Sequence, residues 1–198
     1  MRPIRAHATV FRKTCAMLNE PVLLTALIAP GSVESVVGKV QAALLAEHGL
    51  ASAQALPPLI PIAFLDAARV QRELLVQINA SIRPGWRIRI TEAIWCEGHL
   101  YAGVESGGVW RSLRDRALEI CGAEKGCLFP AVEGFYLGCS DAAPGQRSLI
   151  RPAVPAVSFS SGAITLLTIR AAVEWEEWWR EVRWEVLDLR PLRGRKTQ

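Results

Sequence analysis

The sequence predicts an α+β fold built from two roughly similar halves. Three observations carry that expectation. Apolar runs of strand length are interspersed with segments of helical periodicity, without the sustained alternation of a doubly wound sheet. Hairpin signals are mixed in with the helices. Of 198 residues, 51% are hydrophobic and 21% charged, which supports a buried core and excludes a disordered chain. Five Cys, few and odd in number, exclude a disulfide scaffold.

The elements follow in order. Residues 22–29 form an apolar run closed by Pro30-Gly31, a buried strand followed by a breaker. Ser32 is a candidate helix cap, and Val33, Val36, Val37, Val40 and Leu44 then share one helical face, with Gly49 as the stop. Residues 59–65 are a second apolar run, which Pro61 demotes to an edge or irregular strand. Asp66 is placed as cap of a helix carrying Val70, Leu74 and Ile78. Trp86, Ile88 and Ile90 alternate with Arg87, Arg89 and Thr91, a strand with one wet face. Glu97-Gly98 turns the chain into residues 99–105 as a hairpin partner. A helix with Trp110, Leu113, Ala117 and Ile120 inward follows Gly107-Gly108. Residues 132–139 are a strand, 141–156 a link, and 164–169 a strand. Residues 173–183 have helical Trp spacing, and 184–189 form the last strand.

The net charge of +4 is unevenly placed. Residues 1–13 hold four basic side chains and no acid, and so do residues 190–198. The body, 14–189, holds 15 basic and 19 acidic residues. An acidic body with basic ends argues against a basic nucleic-acid groove; any RNA contact is expected to be weak and carried by the ends. The apolar stretch near the start is too short to span a bilayer, so no membrane segment is expected. The cytoplasm is the expected compartment, with Cys15, Cys96, Cys121, Cys127 and Cys139 as reduced thiols. No C-x-x-C pair or matching His set supports a metal site, and no glycine-rich nucleotide loop occurs, so no cofactor is expected.

The order of these elements resembles the 2H phosphoesterase superfamily, which includes 2'-5' RNA ligases and cyclic phosphodiesterases. Leu23-Leu-Thr-Ala-Leu-Ile-Ala-Pro30 is similar to the family's first strand and its Pro-ended turn. Leu56-Pro-Pro-Leu-Ile-Pro-Ile-Ala-Phe64 is similar to the strand that the family writes P-H-x-T-L-x-F. Residues 99–118 are similar to its central hairpin and following helix. Phe129-Pro-Ala-Val-Glu-Gly-Phe-Tyr-Leu-Gly138 is similar to its second motif strand, P-H-x-T-L-G. Residues 164–170 and 184–192 are similar to the closing strands.

The resemblance implies a two-lobed fold with antiparallel sheets around a central cleft, spanning residues 21–192, between a basic arm (1–20) and a basic tail (193–198). It also implies a His from each lobe as general base and general acid at a phosphodiester, with Thr or Ser hydroxyls holding phosphate oxygens. Imidazole suits such work because both of its protonation states are accessible near neutral pH. Here the first His position reads Leu59 and its Thr position Pro61; the second pair reads Gly134 and Tyr136. Leu and Gly transfer no protons, and Pro has no side-chain donor. No His lies between His48 and His99 or after His99, so a small shift in alignment does not rescue the pair.

The expected protein has therefore lost the paired-histidine catalysis. It binds a ligand, with a nucleotide or phosphodiester as the class the resemblance implies, or a protein partner. The candidate ligand contacts are Tyr136, Glu133, Arg87, Arg89 and Arg170, since arginines can hold phosphate bidentately; ordinary packing and a solvated sheet face are the competing roles. Two rivals remain. One is an active phosphodiesterase or 2'-5' RNA ligase-like enzyme with a rearranged site, drawing on His7 of the sole H-x-T, His7-Ala8-Thr9, together with Tyr136 and arginines. The other is an interaction module using Trp175, Trp178, Trp179 and Trp184, whose interleaved glutamates would repel a phosphate backbone. His99 is expected as a half-buried or solvated side chain, and His48 as a helix-ending one.

Overall fold

The computed structural model describes residues 21–66, 70, 73–80, 82, 86–122, 128–140, 144–147, 149–171, 178–180 and 182–192. His7, Trp175, Cys15, Cys127 and both basic terminal stretches up to residue 13 and from 193 lie outside these.

The chain builds β1 (Val22–Ile28), α1 (Gly31–His48), β2 (Ile60–Leu65), α2 (Leu74–Asn79), β3 (Ile88–Cys96), β4 (His99–Glu105), α3 (Val109–Cys121), β5 (Gly134–Cys139), the short α4 (Pro144–Arg147), β6 (Ser158–Phe159), β7 (Gly162–Ala171) and β8 (Val182–Leu192). Two four-stranded antiparallel sheets result, with orders β2-β1-β7-β8 and β5-β4-β3-β6. The first sheet joins both ends of the chain, and the second is made from its middle. Each is one lobe of an α+β fold.

Local chemistry explains the boundaries. Pro30 precedes α1 and accepts hydrogen bonds from the N–H groups of Val33 and Glu34 at 2.8 and 3.1 Å. The expected cap, Ser32, thus sits inside the first turn. Gly49 ends the helix in the left-handed region at φ 65°. Glu97 and Gly98, both at positive φ, make the expected β3–β4 turn. Pro61 does lie on an edge strand, and a register irregularity separates its pairing with Ala26 from that of Ala63 with Thr25.

Three expectations are corrected. The second helix starts at Leu74 after Glu73, so Asp66 is not its cap. Residues 178–180 form a single 3-10 turn, and Val182 and Arg183 already belong to β8, so no helix runs to 183. Glu133 sits in a bend before β5 rather than on the strand. Among the described residues no helix is long and apolar enough to cross a membrane.

The helices cover one face of each sheet. Val33, Val37, Val40 and Leu44 of α1 and Leu113, Ala117 and Cys121 of α3 pack with Leu23, Leu27, Leu100, Ala102, Phe135 and Leu137 in the main core. α3 also grips the free edge of β2: Trp110 Nε1 donates to the Pro61 carbonyl and Arg114 Nη1 to the Ile62 carbonyl, each at 2.8 Å. These bonds satisfy carbonyls of β2 that a further, fifth strand would otherwise have to take. They also fasten a middle-lobe helix to a strand of the other lobe.

Candidate functional site

The faces turned away from the helices meet in a second cluster. It draws Leu24 and Ala26 from β1, Leu59 and Phe64 from around β2, Tyr101 from β4, Tyr136 from β5, and Leu167 and Ile169 from β7. Strand alternation puts these on the sheet faces opposite Leu23, Leu27, Leu100 and Leu137. The two motif-like segments converge here. The Tyr136 N–H donates to the Leu59 carbonyl at 3.0 Å, and both side chains are 0% exposed. Gln41, buried on α1, donates Nε2 to the Tyr136 carbonyl at 3.2 Å and to the Leu56 carbonyl at 3.4 Å. The residues matched to the first His and the second Thr are therefore neighbours, but in a dry, closed setting.

Aromatic rings fill the space. Phe129 stacks on Tyr136 with centroids 4.4 Å apart, and Trp178 packs on both at 5.6 and 6.1 Å. Phe64 meets Phe129 edge-on at 5.1 Å, and Tyr101 meets Tyr136 edge-on at 5.6 Å. Such pairs each add about 0.5–1.5 kcal/mol beyond burial. Trp178 is a buried ring over this stack, so it is not an exposed contact residue.

Glycines let the sheet close up beneath the rings. Gly134 pairs with Gly103 across β4 and β5. A Cβ at 134 would lie 2.7 Å from the Ala102 carbonyl oxygen and 3.1 Å from Tyr101 Cβ. Backbone cannot easily yield there, so any side chain at the position matched to the second His costs a strand displacement.

Few polar groups remain. Tyr101 donates its hydroxyl to the Pro130 carbonyl at 2.6 Å. Burial pushes the hydroxyl pKa of both Tyr101 and Tyr136 well above the ordinary value, so neither supplies a base. The Tyr136 hydroxyl lies 3.4 Å from His99 Nδ1. His99 is partly buried at the mouth of the cluster; burial first, then the Arg147 charge, lower its pKa to about 4. It is therefore neutral near pH 7. A His of this kind can donate or accept a hydrogen bond; the other His among the described residues, His48, is on α1, away from this cluster.

The other sequence candidates do not gather at this site. Glu133 accepts from the backbone N–H and the hydroxyl of Ser106, whose Oγ in turn accepts from the Trp110 N–H at 3.1 Å. It clasps the start of α3. Arg89 pairs with Glu105 at 2.6 Å on the exposed face of β3, with Arg87 exposed beside it. Arg170 is exposed at the end of β7, in the other sheet. No converging arginine set forms from these three. His48 ends α1 and is exposed.

Three contributors escaped the sequence reading. Gln41 had a signal, a polar residue four after Val37 and on the inward side of the helix. Phe129 lay before a predicted strand and Arg147 inside a predicted link, with nothing in the pattern to aim them inward. Cys96, Cys121 and Cys139 are not joined in disulfides. Among the described residues no group of three His, Cys, Asp or Glu side chains is arranged to hold a metal ion.

No protein-family model matches the sequence, and no curated protein matches it. Solved structures do. E. coli LigT complexed with 3'-AMP superposes with a TM-score of 0.55 over 90% of this chain and 100% of that one, at 17% identity. E. coli LigT in apo form gives 0.52 over 87% and 98% at 15% identity, and a phosphoesterase gives 0.51 over 87% and 99% at 14% identity. At such identities the likeness speaks for the fold. The chain has the α+β fold of LigT and of that phosphoesterase.

Proposed function

We propose that this is a 2H phosphoesterase-type protein that has lost the paired-histidine chemistry and acts by binding. The observation that carries the reading is the Tyr136–Leu59 backbone bond inside a fully buried aromatic cluster. It fills the space between the lobes at the positions that the resemblance matches to the paired histidines. A nucleotide or phosphodiester is the ligand class, supported by the likeness to a LigT structure holding 3'-AMP. The basic ends add weak, salt-sensitive RNA contact, and the protein works in the cytoplasm with its thiols reduced.

A turnover assay on a 2',3'-cyclic nucleotide and a 2'-5'-linked dinucleotide tests the loss of catalysis. The reading expects no product above the buffer control. Turnover that disappears in a His7→Ala variant would establish the rearranged-site enzyme instead.

One observation favours a protein partner as well. Trp184, Val186 and Leu189 are 44%, 44% and 51% exposed on edge strand β8. They pair with Ile169, Leu167 and Thr165, so they continue the face that is buried elsewhere in the sheet. An apolar strip on an edge strand is a surface that favours being covered. Trp184→Ser should weaken partner capture without lowering stability by more than about 0.5 kcal/mol.

A further inference from the structure

We propose that Arg147 and His99 form a binding site for a phosphate monoester group at the β3–β4 turn of the middle lobe. This rests on the ligand class proposed above and not on the loss of catalysis. Arg147 ends α4 and lays its guanidinium over the turn: Nη1, Cζ and Nη2 are 3.1, 3.4 and 3.4 Å from where a Cβ on Gly98 would stand. Gly98 holds the positive φ of 86° that the turn needs, and without a Cβ it lets the guanidinium lie flat against the turn. The Arg147 Nε is buried without a hydrogen-bond partner, and no carboxylate among the described residues pairs with the guanidinium. A buried, unanswered donor on a cation is costly unless an acceptor arrives. His99 follows Gly98 directly and has one ring nitrogen, Nδ1, against the Tyr136 hydroxyl. Its other nitrogen is left to meet an acceptor.

A phosphate oxyanion fits both needs. It takes a guanidinium fork bidentately and accepts from an imidazole N–H. Among the described residues, the charged and titratable groups around His99 are Glu97 on the turn, Cys96 on β3, Tyr101 on β4, Tyr136 and Cys139 on β5, and Arg147 on α4. The buried tyrosines are neutral, and Cys96 is held as a thiol by burial and by Glu97. Arg147 is thus the cation to be balanced.

The test is an NMR titration of the His99 imidazole in the full chain, in inorganic phosphate and in sodium chloride at matched ionic strength. A bound phosphate offsets the Arg147 charge and favours imidazolium, so the His99 midpoint should lie higher in phosphate, by about one pH unit. Arg147→Gln should abolish the difference between the two salts. Arg147→Lys, which keeps the charge but not the fork and guards against a folding defect, should retain a smaller one. Equal midpoints for the wild type in the two salts, or an undiminished difference in Arg147→Gln, would overturn the site. The cyclic-nucleotide assay is blind to this outcome, so failure here and failure of the non-catalytic reading are separate results.

Discussion

The backbone N–H of Tyr136 meets the carbonyl of Leu59 at 3.0 Å, and this bond joins the two lobes at the point where their motif-like segments face each other. Here they are in contact, with Gln41 fastening both from beneath and Phe129 and Trp178 packed above.

Placing a His at position 134, which the resemblance matches to the second motif His, should fail for steric reasons. Gly134→Ala places a Cβ 2.7 Å from the Ala102 carbonyl oxygen. The cost should be about 1–3 kcal/mol, read as a lower urea midpoint, and more for Gly134→His. A Gly134→His variant as stable as the parent would mean that the strands are more widely spaced than described.

Gln41→Leu should destabilise the protein by about 1–3 kcal/mol despite adding an apolar group. It strips the partner from two buried carbonyls, those of Leu56 and Tyr136. Gln41→Glu serves as the control, since a carboxylate cannot donate to them and should be at least as harmful. Chemical denaturation of both variants checks the point, and a neutral Gln41→Leu would contradict it.

Trp178→Ala should cost about 3–5 kcal/mol, the range for removing a large buried aromatic. The ring is 1% exposed and lies on Phe129 and Tyr136. A loss under 1 kcal/mol would mean the turn at 178–180 does not sit on the stack in solution.

His99 gives a pH signature with a definite sign. Its folded pKa of about 4 is below the unfolded value of 6.5, so the unfolded chain binds more protons between these limits. Stability is therefore full above pH 6.5 and falls as pH drops toward 4, by up to about 3 kcal/mol. His99→Gln should flatten that part of the stability profile. A profile of unchanged slope between pH 4 and 6.5 in the variant would show that the loss arises from other groups.

Much of the architecture was legible because it rests on local chemistry. The run before Pro30, the αL stop at Gly49, the Glu97-Gly98 turn and the edge strand at Pro61 were read in place. The C-terminal segment misled because Trp175, Trp178, Trp179 and Val182 happen to fall at helical spacing, while pairing with β7 claims Val182 for a strand. Site residues were harder. Glu133 and Arg89 looked free in sequence, and long-range partners, Ser106 and Glu105, occupy them. His99 and Arg147 are 48 residues apart, and only the fold puts the arginine over the turn beside the imidazole.

The central claim is that the space between the lobes is closed, and native-state hydrogen exchange at the Tyr136 amide tests it most directly. The account predicts that this N–H, bonded to Leu59 and shielded by Phe129 and Trp178, exchanges only through global unfolding, with a protection free energy equal to that from denaturation. Exchange at a rate typical of an exposed loop amide, under conditions where the β4 amides stay protected, would contradict it and leave an open cleft between the lobes.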